Sequence, residues 1–376
     1  MPKRKKKEKS TSVEKKTTKT KESTNTFPFV CTVICLGILA RLLVPFFNQT
    51  LSQDEVLLIG TINNREFWGL FNPLSFPQAV PPLFLCITKL FSLLIPANTP
   101  PHIVETVFKT VPLLASIGSI FAFHNLLKNI FINKFVILAG LILFAFNPML
   151  ITYSWVLKPF STDVLVCTLL ITYFIRYNPE GYWRQFIQIL LLSCSIMVSL
   201  PSVFIILGGI VHILFKDWRK FFFAISAFAL FLIFYFIYHL WGIMEAHGAA
   251  IDTYWSNFFI TKKNIYHLAL NMIKTNFNVF ITPIIGLSAI GLGFIASCFR
   301  DKKFAMIFAI TLLAIISASY LHLYPFAPRL LLFLTPMMII LTCEICDLIP
   351  ANNIISKILP IIFVGLTFYN LLTGFN

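Results

Sequence analysis

The chain has 376 residues, of which 57% are hydrophobic and 12% charged, and its mean hydropathy is +0.82. A soluble domain of this length exposes far more charge, so the composition excludes one and implies a polytopic membrane protein. The net charge of +15 is uneven: residues 1–26 carry ten Lys/Arg against three Glu, net +7, and residues 27–376 carry twenty against twelve, net +8.

Met1 to Thr26 is rich in Lys, Ser, Thr and Glu, with one Val and no aromatic residue. Such a segment cannot bury a core and reads as a disordered basic tail. Its charge fits a cytoplasmic anchor against anionic lipid better than a nucleic-acid site, and its length argues against a cleaved signal peptide. Apolar runs then predict spans at roughly 28–47, 106–127, 132–152, 160–176, 219–241, 277–299, 303–324, 328–349 and 354–372. A longer run, roughly 184–215, splits at Leu200-Pro201-Ser202 into two short spans, so the expectation is an all-α membrane protein of about 11 transmembrane helices. Arg41 interrupts the first span, where it either snorkels or faces the bundle interior.

The stretch 83–96 is too short to cross and carries Thr88, Lys89 and Ser92 on one stripe. It reads as a juxtamembrane helix started by Pro81-Pro82, within a first external segment running from Asn48 to about Glu105. The basic turns at Lys216, Arg219 and Lys220 and at Arg300, Lys302 and Lys303 mark the cytoplasmic side, which leaves 242–276 outside. The expected organisation is therefore a tail at 1–26 and a membrane module at 27–241 that includes the external segment 48–105. An external loop at 242–276 and C-terminal helices at 277–376 complete it.

Eight cysteines do not form a disulfide framework. Cys31, Cys35, Cys167 and Cys194 lie in apolar runs as small hydrophobes, and Cys343-Glu344-Ile345-Cys346 has no second pair to make a metal site. His247 and His267 also lack zinc spacing, and no metal ligand set is expected.

Four elements at span ends share the predicted external face: Asp54-Glu55, Gln78-Ala79-Val80-Pro81-Pro82, Lys158-Pro159-Phe160-Ser161-Thr162-Asp163, and Tyr324-Pro325-Phe326-Ala327-Pro328-Arg329. Carboxylates with cations suit a reaction at a membrane-anchored phosphate. Each also has a plainer explanation. Asp54-Glu55 and Asp163 fit helix first turns, where the dipole favours acids. Lys158 fits an interfacial snorkelling residue and Arg329 a headgroup anchor. Pro81 and Pro82 start a helix.

The order and sidedness of these motifs over residues 30–345 resemble the GT-C glycosyltransferases that use polyprenyl-phosphate sugars, among them family 39, the protein O-mannosyltransferases and the aminoarabinose transferases. The resemblance implies an integral-membrane transferase that moves a monosaccharide from a polyprenyl-phosphate donor to an acceptor hydroxyl on the extracytoplasmic face. It implies Asp54 as an inverting base, and Lys158 and Arg329 on the donor phosphate. Glu55 would orient Asp54, bind acceptor or hold a cation, and Pro81, Pro82, Asp163 and Tyr324 would line the substrate pocket. The implied partners are the lipid-linked donor, a glycan, lipid or protein acceptor, and membrane lipid, in a bacterial inner or plasma membrane; a divalent metal is conceivable at Asp54/Glu55 but not expected. The chain departs from many bacterial relatives at Val156, where they carry an acid, and at Phe160, where the aromatic is often Tyr. A transporter or lipid-linked-sugar flippase, or a GT-C scaffold without catalysis, are the competing readings.

Overall fold

The structure, a computed structural model, describes residues 26–47, 51–76, 78–96, 99–177, 182–216, 252–277 and 282–348, with a few isolated positions besides. The spans expected near 219–241 and 354–372 lie outside the described residues. All regular structure among the described residues is helical. Five described helical stretches are long and apolar enough to cross a membrane, and a bent pair over residues 134–155 makes a sixth. The protein is an integral membrane protein of all-α class.

Helix α1 (Phe27–Phe47) is peripheral, and only 11% of its most apolar window is buried. Its one charge points inward. Arg41 is fully buried, donating from Nε to Ser116 Oγ at 2.7 Å and from Nη1 to the carbonyls of Gly37 at 2.9 Å and Ala145 at 2.8 Å. A guanidinium in a membrane interior is costly unless its donors are occupied; these acceptors satisfy Nε and Nη1, while the buried Nη2 has no hydrogen-bond partner.

The segment 51–96 folds as a small cap. It contains α2 (Gln53–Asn64) and α3 (Pro82–Ser92), joined through a 3₁₀ turn at Trp68–Phe71. At 11 residues, α3 is about 16 Å long, half of the ~30 Å hydrocarbon thickness, and does not cross. The cap has its own apolar core: Leu58, Ile62, Leu70, Phe76, Val80 and Phe84 close over Phe108 and Val111 of α4 (Pro101–Ile130) and over Leu157.

The run expected as one span at 132–152 is instead two helices. Helix α5 (Lys134–Ala145) gives way to α6 (Pro148–Thr152) at a 50° bend. Asn147 makes the break: its Oδ1 accepts from Leu150 N at 3.1 Å, capping α6, while its Nδ2 donates to Asn276 O at 2.9 Å. The next chain segment turns into α7 (Phe160–Arg176), which packs along α4. The expected break at Leu200-Pro201 separates α8 (Tyr182–Val198) from α9 (Ser202–Lys216).

Helices α10 (Ile265–Asn276), α11 (Pro283–Arg300), α12 (Lys302–Tyr320) and α13 (Thr335–Leu348) follow, with a 3₁₀ stretch at Pro328–Leu334 leading into α13. The stretch 328–348 is the innermost part of the bundle, with 83% of its window buried. A Cβ at Gly293 would overlap the Leu341 carbonyl, so glycine is what allows α11 to lie against α13. One apolar core joins Val33 near the start of the chain to Cys346 near the end.

Both ends of the bundle carry charged side chains. At one end Arg300 pairs with Glu344, at 3.2 Å, and with Asp347, while Lys303 Nζ reaches the Ile175 carbonyl at the end of α7. Lys158 precedes α7 and Arg329 follows α12, so both lie at the opposite end.

Candidate active site

Asp54 and Glu55 begin α2. Ser52 is the N-cap, and Ser52 and Glu55 form a reciprocal capping box. The Ser52 backbone N–H and hydroxyl both donate to Glu55 Oε2, at 2.9 and 2.8 Å. The plain helix-start explanation therefore applies to this pair, but to its members unequally. Successive helical residues point about 100° apart, and here one points out and the other in. The Asp54 side chain is 54% exposed, whereas Glu55 is 3% exposed.

Asp54 Oδ2 faces Lys158 Nζ at 3.2 Å, and the same ammonium donates to Gln78 Oε1 at 2.5 Å. Three of the four elements noted in the sequence thus meet at one ammonium. Burial pushes the Lys158 pKa below its ordinary value; Asp54 opposes the shift, and the Arg329 charge adds to it. Two cations close enough to feel each other, with one exposed carboxylate between α2 and α7, form a place where an anion relieves repulsion.

Arg329, in the fourth element, is held by Tyr254 and Trp255. Its Nη2 donates to Tyr254 Oη at 3.1 Å, and its guanidinium lies 4.7 Å from the centroid of the Trp255 ring. The backbone is pinned on both sides: Phe326 N donates to Phe258 O at 2.8 Å, and Asn276 Nδ2 to Pro328 O at 2.6 Å. Through Asn276 and Asn147, the Arg329 turn is linked to the α5–α6 bend.

The other residues named from sequence lie behind this surface. Pro81 and Pro82 are buried at the start of α3, with Pro81 at the N-cap and Pro82 at the first helical position. Asp163 is 6% exposed in the first turn of α7, facing inward beside Ser199 of the α8–α9 break. Tyr324 donates its phenol to the Leu330 carbonyl at 2.9 Å and packs edge-on against Phe204, bracing its own loop. Val156 is the carbonyl acceptor of Lys158 N at 2.7 Å in a tight turn.

Sequence reasoning missed Lys109, Tyr254 and Trp255. Lys109 from α4 is 2% exposed, and its Nζ lies 4.0 Å from Glu55 Oε1. The Ser52-x-x-Glu55 spacing was a readable capping signal; nothing local marks Lys109 as buried. The described residues contain no group of three or more His, Cys, Asp or Glu placed to hold a metal ion. The Glu55 oxygens accept from Ser52 and from Leu157 N, and Lys109 Nζ lies 4.0 Å from Oε1.

No protein family matches the chain by sequence, and no curated protein does. Solved structures do match. An oligosaccharyltransferase of Archaeoglobus fulgidus, in complex with Zn and sulfate, superposes with a TM-score of 0.56 at 10% identity, over 90% of this chain and 53% of its own. ArnT of Cupriavidus metallidurans, in the apo state, superposes with a TM-score of 0.54 at 11% identity, over 85% of this chain and 60% of its own. Both are GT-C glycosyltransferases. The chain has the GT-C fold. It spans between half and two thirds of the length of these two proteins. Within this fold, the cap at 51–96 and the turn at 324–329 bring their polar residues to the same end of the bundle as the start of α7.

Proposed function

We propose that this protein is a glycosyltransferase that moves a sugar from a polyprenyl-phosphate donor to an acceptor hydroxyl on the extracytoplasmic face of the membrane. The observation that carries the reading is the Asp54–Lys158 contact at 3.2 Å, with the Arg329 charge bearing on the same ammonium. A solvent-accessible carboxylate beside two cations is what a transfer from a lipid phosphate requires.

In this reading Asp54 takes the proton of the acceptor hydroxyl as its oxygen attacks the anomeric carbon. The new C–O bond forms on the face opposite the phosphate, so the configuration inverts. The bond from the anomeric carbon to the phosphate oxygen breaks, and its electron pair leaves with the lipid phosphate. Lys158 and Arg329 stabilise the charge gained there, and the Arg fork offers two parallel hydrogen bonds to phosphate oxygens. Phosphate is a good leaving group, so no second proton donor is needed. The Tyr254–Trp255 platform holds the guanidinium in place before the donor arrives, so little reorganisation accompanies the charge shift.

The test incubates purified protein with a panel of polyprenyl-phosphate sugars and a membrane-glycan extract, and identifies the product by mass. Transfer from at least one donor, lost in Asp54→Asn, is the expected result. Undiminished transfer by Asp54→Asn removes the base assignment, and no transfer from any lipid-phosphate donor removes the donor class.

A further inference from the structure

Glu55 sits where three elements meet. Its Oε2 binds the start of α2 through Ser52, its Oε1 accepts from Leu157 N at 2.7 Å, and Lys109 of α4 stands 4.0 Å from the same Oε1. Lys109 Nζ also lies 5.9 Å from the centroid of the Trp155 ring. Leu58, Phe108 and Leu157 are fully buried around this pair. An apolar pair of similar volume would hold the helices together as well as a buried ion pair does. What an apolar pair cannot do is bind a particular backbone N–H and so fix the direction of the turn that follows it.

That turn carries Lys158. Leu157 N is committed to Glu55, Lys158 N to Val156 O, and the ammonium one residue on meets Asp54 and Gln78. Asp54, in turn, is fixed by the α2 start that Glu55 caps. We propose that Glu55 and Lys109 are positioning residues for the phosphate-binding cation: Glu55 sets the backbone from which Lys158 projects, and Lys109 holds Glu55 in place. Neither touches substrate. Lys109 thereby fills internally the place beside Glu55 that a bound cation would otherwise take. This rests on the reading of Lys158 as the donor-phosphate ligand, but its geometric core can be tested apart from it.

The experiment measures acylation of Lys158 by an amine-reactive reagent in the purified full chain, read by mass spectrometry of the Lys158 peptide, with and without sugar-free polyprenyl phosphate. Lys109→Met should raise Lys158 acylation roughly tenfold, the effect of losing the buried ion-pair contact that holds Glu55, and abolish protection by the phosphate lipid. Lys109→Arg should behave as wild type, which a mere volume requirement at this position would not predict. If Lys109→Met does not fold, the double variant Glu55→Leu/Lys109→Met removes both buried charges and the acceptor of Leu157 N together and should show the same rise. Unchanged acylation in a folded Lys109→Met or double variant overturns the proposal. If polyprenyl phosphate fails to protect Lys158 in the wild type, the donor reading fails, while the rise in acylation still decides the positioning role.

Discussion

Asp54 and Glu55 are neighbours of the same chemistry, and their substitution should have opposite consequences. The Asp54–Lys158 pair is half open to solvent on the Asp54 side. Exposed pairs of this kind contribute about 0–1 kcal/mol, so Asp54→Asn should leave stability close to wild type. Lys158 also keeps Gln78 as an acceptor. Loss of a general base nevertheless slows transfer by about 10²–10⁴-fold. Glu55→Ala strands the buried Lys109 charge and removes the acceptor of Leu157 N and of both Ser52 donors. Breaking a buried pair by deleting one partner costs about 3–5 kcal/mol, a large part of the stability of an ordinary domain. Thermal unfolding in detergent followed by tryptophan fluorescence, run beside a transfer assay with a polyprenyl-phosphate sugar, separates the two. Equal destabilisation by both substitutions, or full transfer by Asp54→Asn, would refute the division of labour between them.

Binding of polyprenyl phosphate should be lost on the alkaline side at a pH below the ~10.4 of a free lysine, because the depressed Lys158 pKa removes the phosphate-binding proton early. Stability should move the other way: the unfolded chain holds that proton to higher pH than the folded one, so this group's contribution rises with pH through the same window. Titrating lipid binding and unfolding from pH 7 to 11 checks both signs, and Lys158→Met should flatten the binding limb. Tyr254→Phe removes one hydrogen bond to Arg329, and Trp255→Leu removes its ring; each should raise the donor KM several-fold, by about 1 kcal/mol of interaction, with kcat changed less. Gly293→Ala should push α11 off α13 and cost about 1–3 kcal/mol as an overpacked site, visible as a lower unfolding temperature with the Asp54 site chemically intact.

Much of the architecture follows from local composition. Apolar runs give helices in lipid because a backbone there must satisfy its own hydrogen bonds, whatever its neighbours. For the same reason the failure of 83–96 to span, and the break at Leu200-Pro201, are visible in run length and in proline alone. The charges at span ends were legible too, since exposure to water is the cheap state for a charge. The sequence placed Asp54, Gln78 and Lys158 on one face, but their contact at a single ammonium came only from the packing of the 51–96 cap over α4. The bend at Asn147 has its capping signal in the sequence, whereas the partner that holds it, Asn276, is 129 residues away. Arg41 read equally well as snorkelling or buried until Ser116 and Ala145 settled which. Lys109 gave no sign of itself, because the burial of a single lysine depends wholly on which carboxylate tertiary packing brings against it. The chain's own pattern determined a helical membrane protein with an acid pair at a span end. Only the folded structure divided that pair, turning Asp54 toward solvent and Lys158 and Glu55 toward the backbone that carries it.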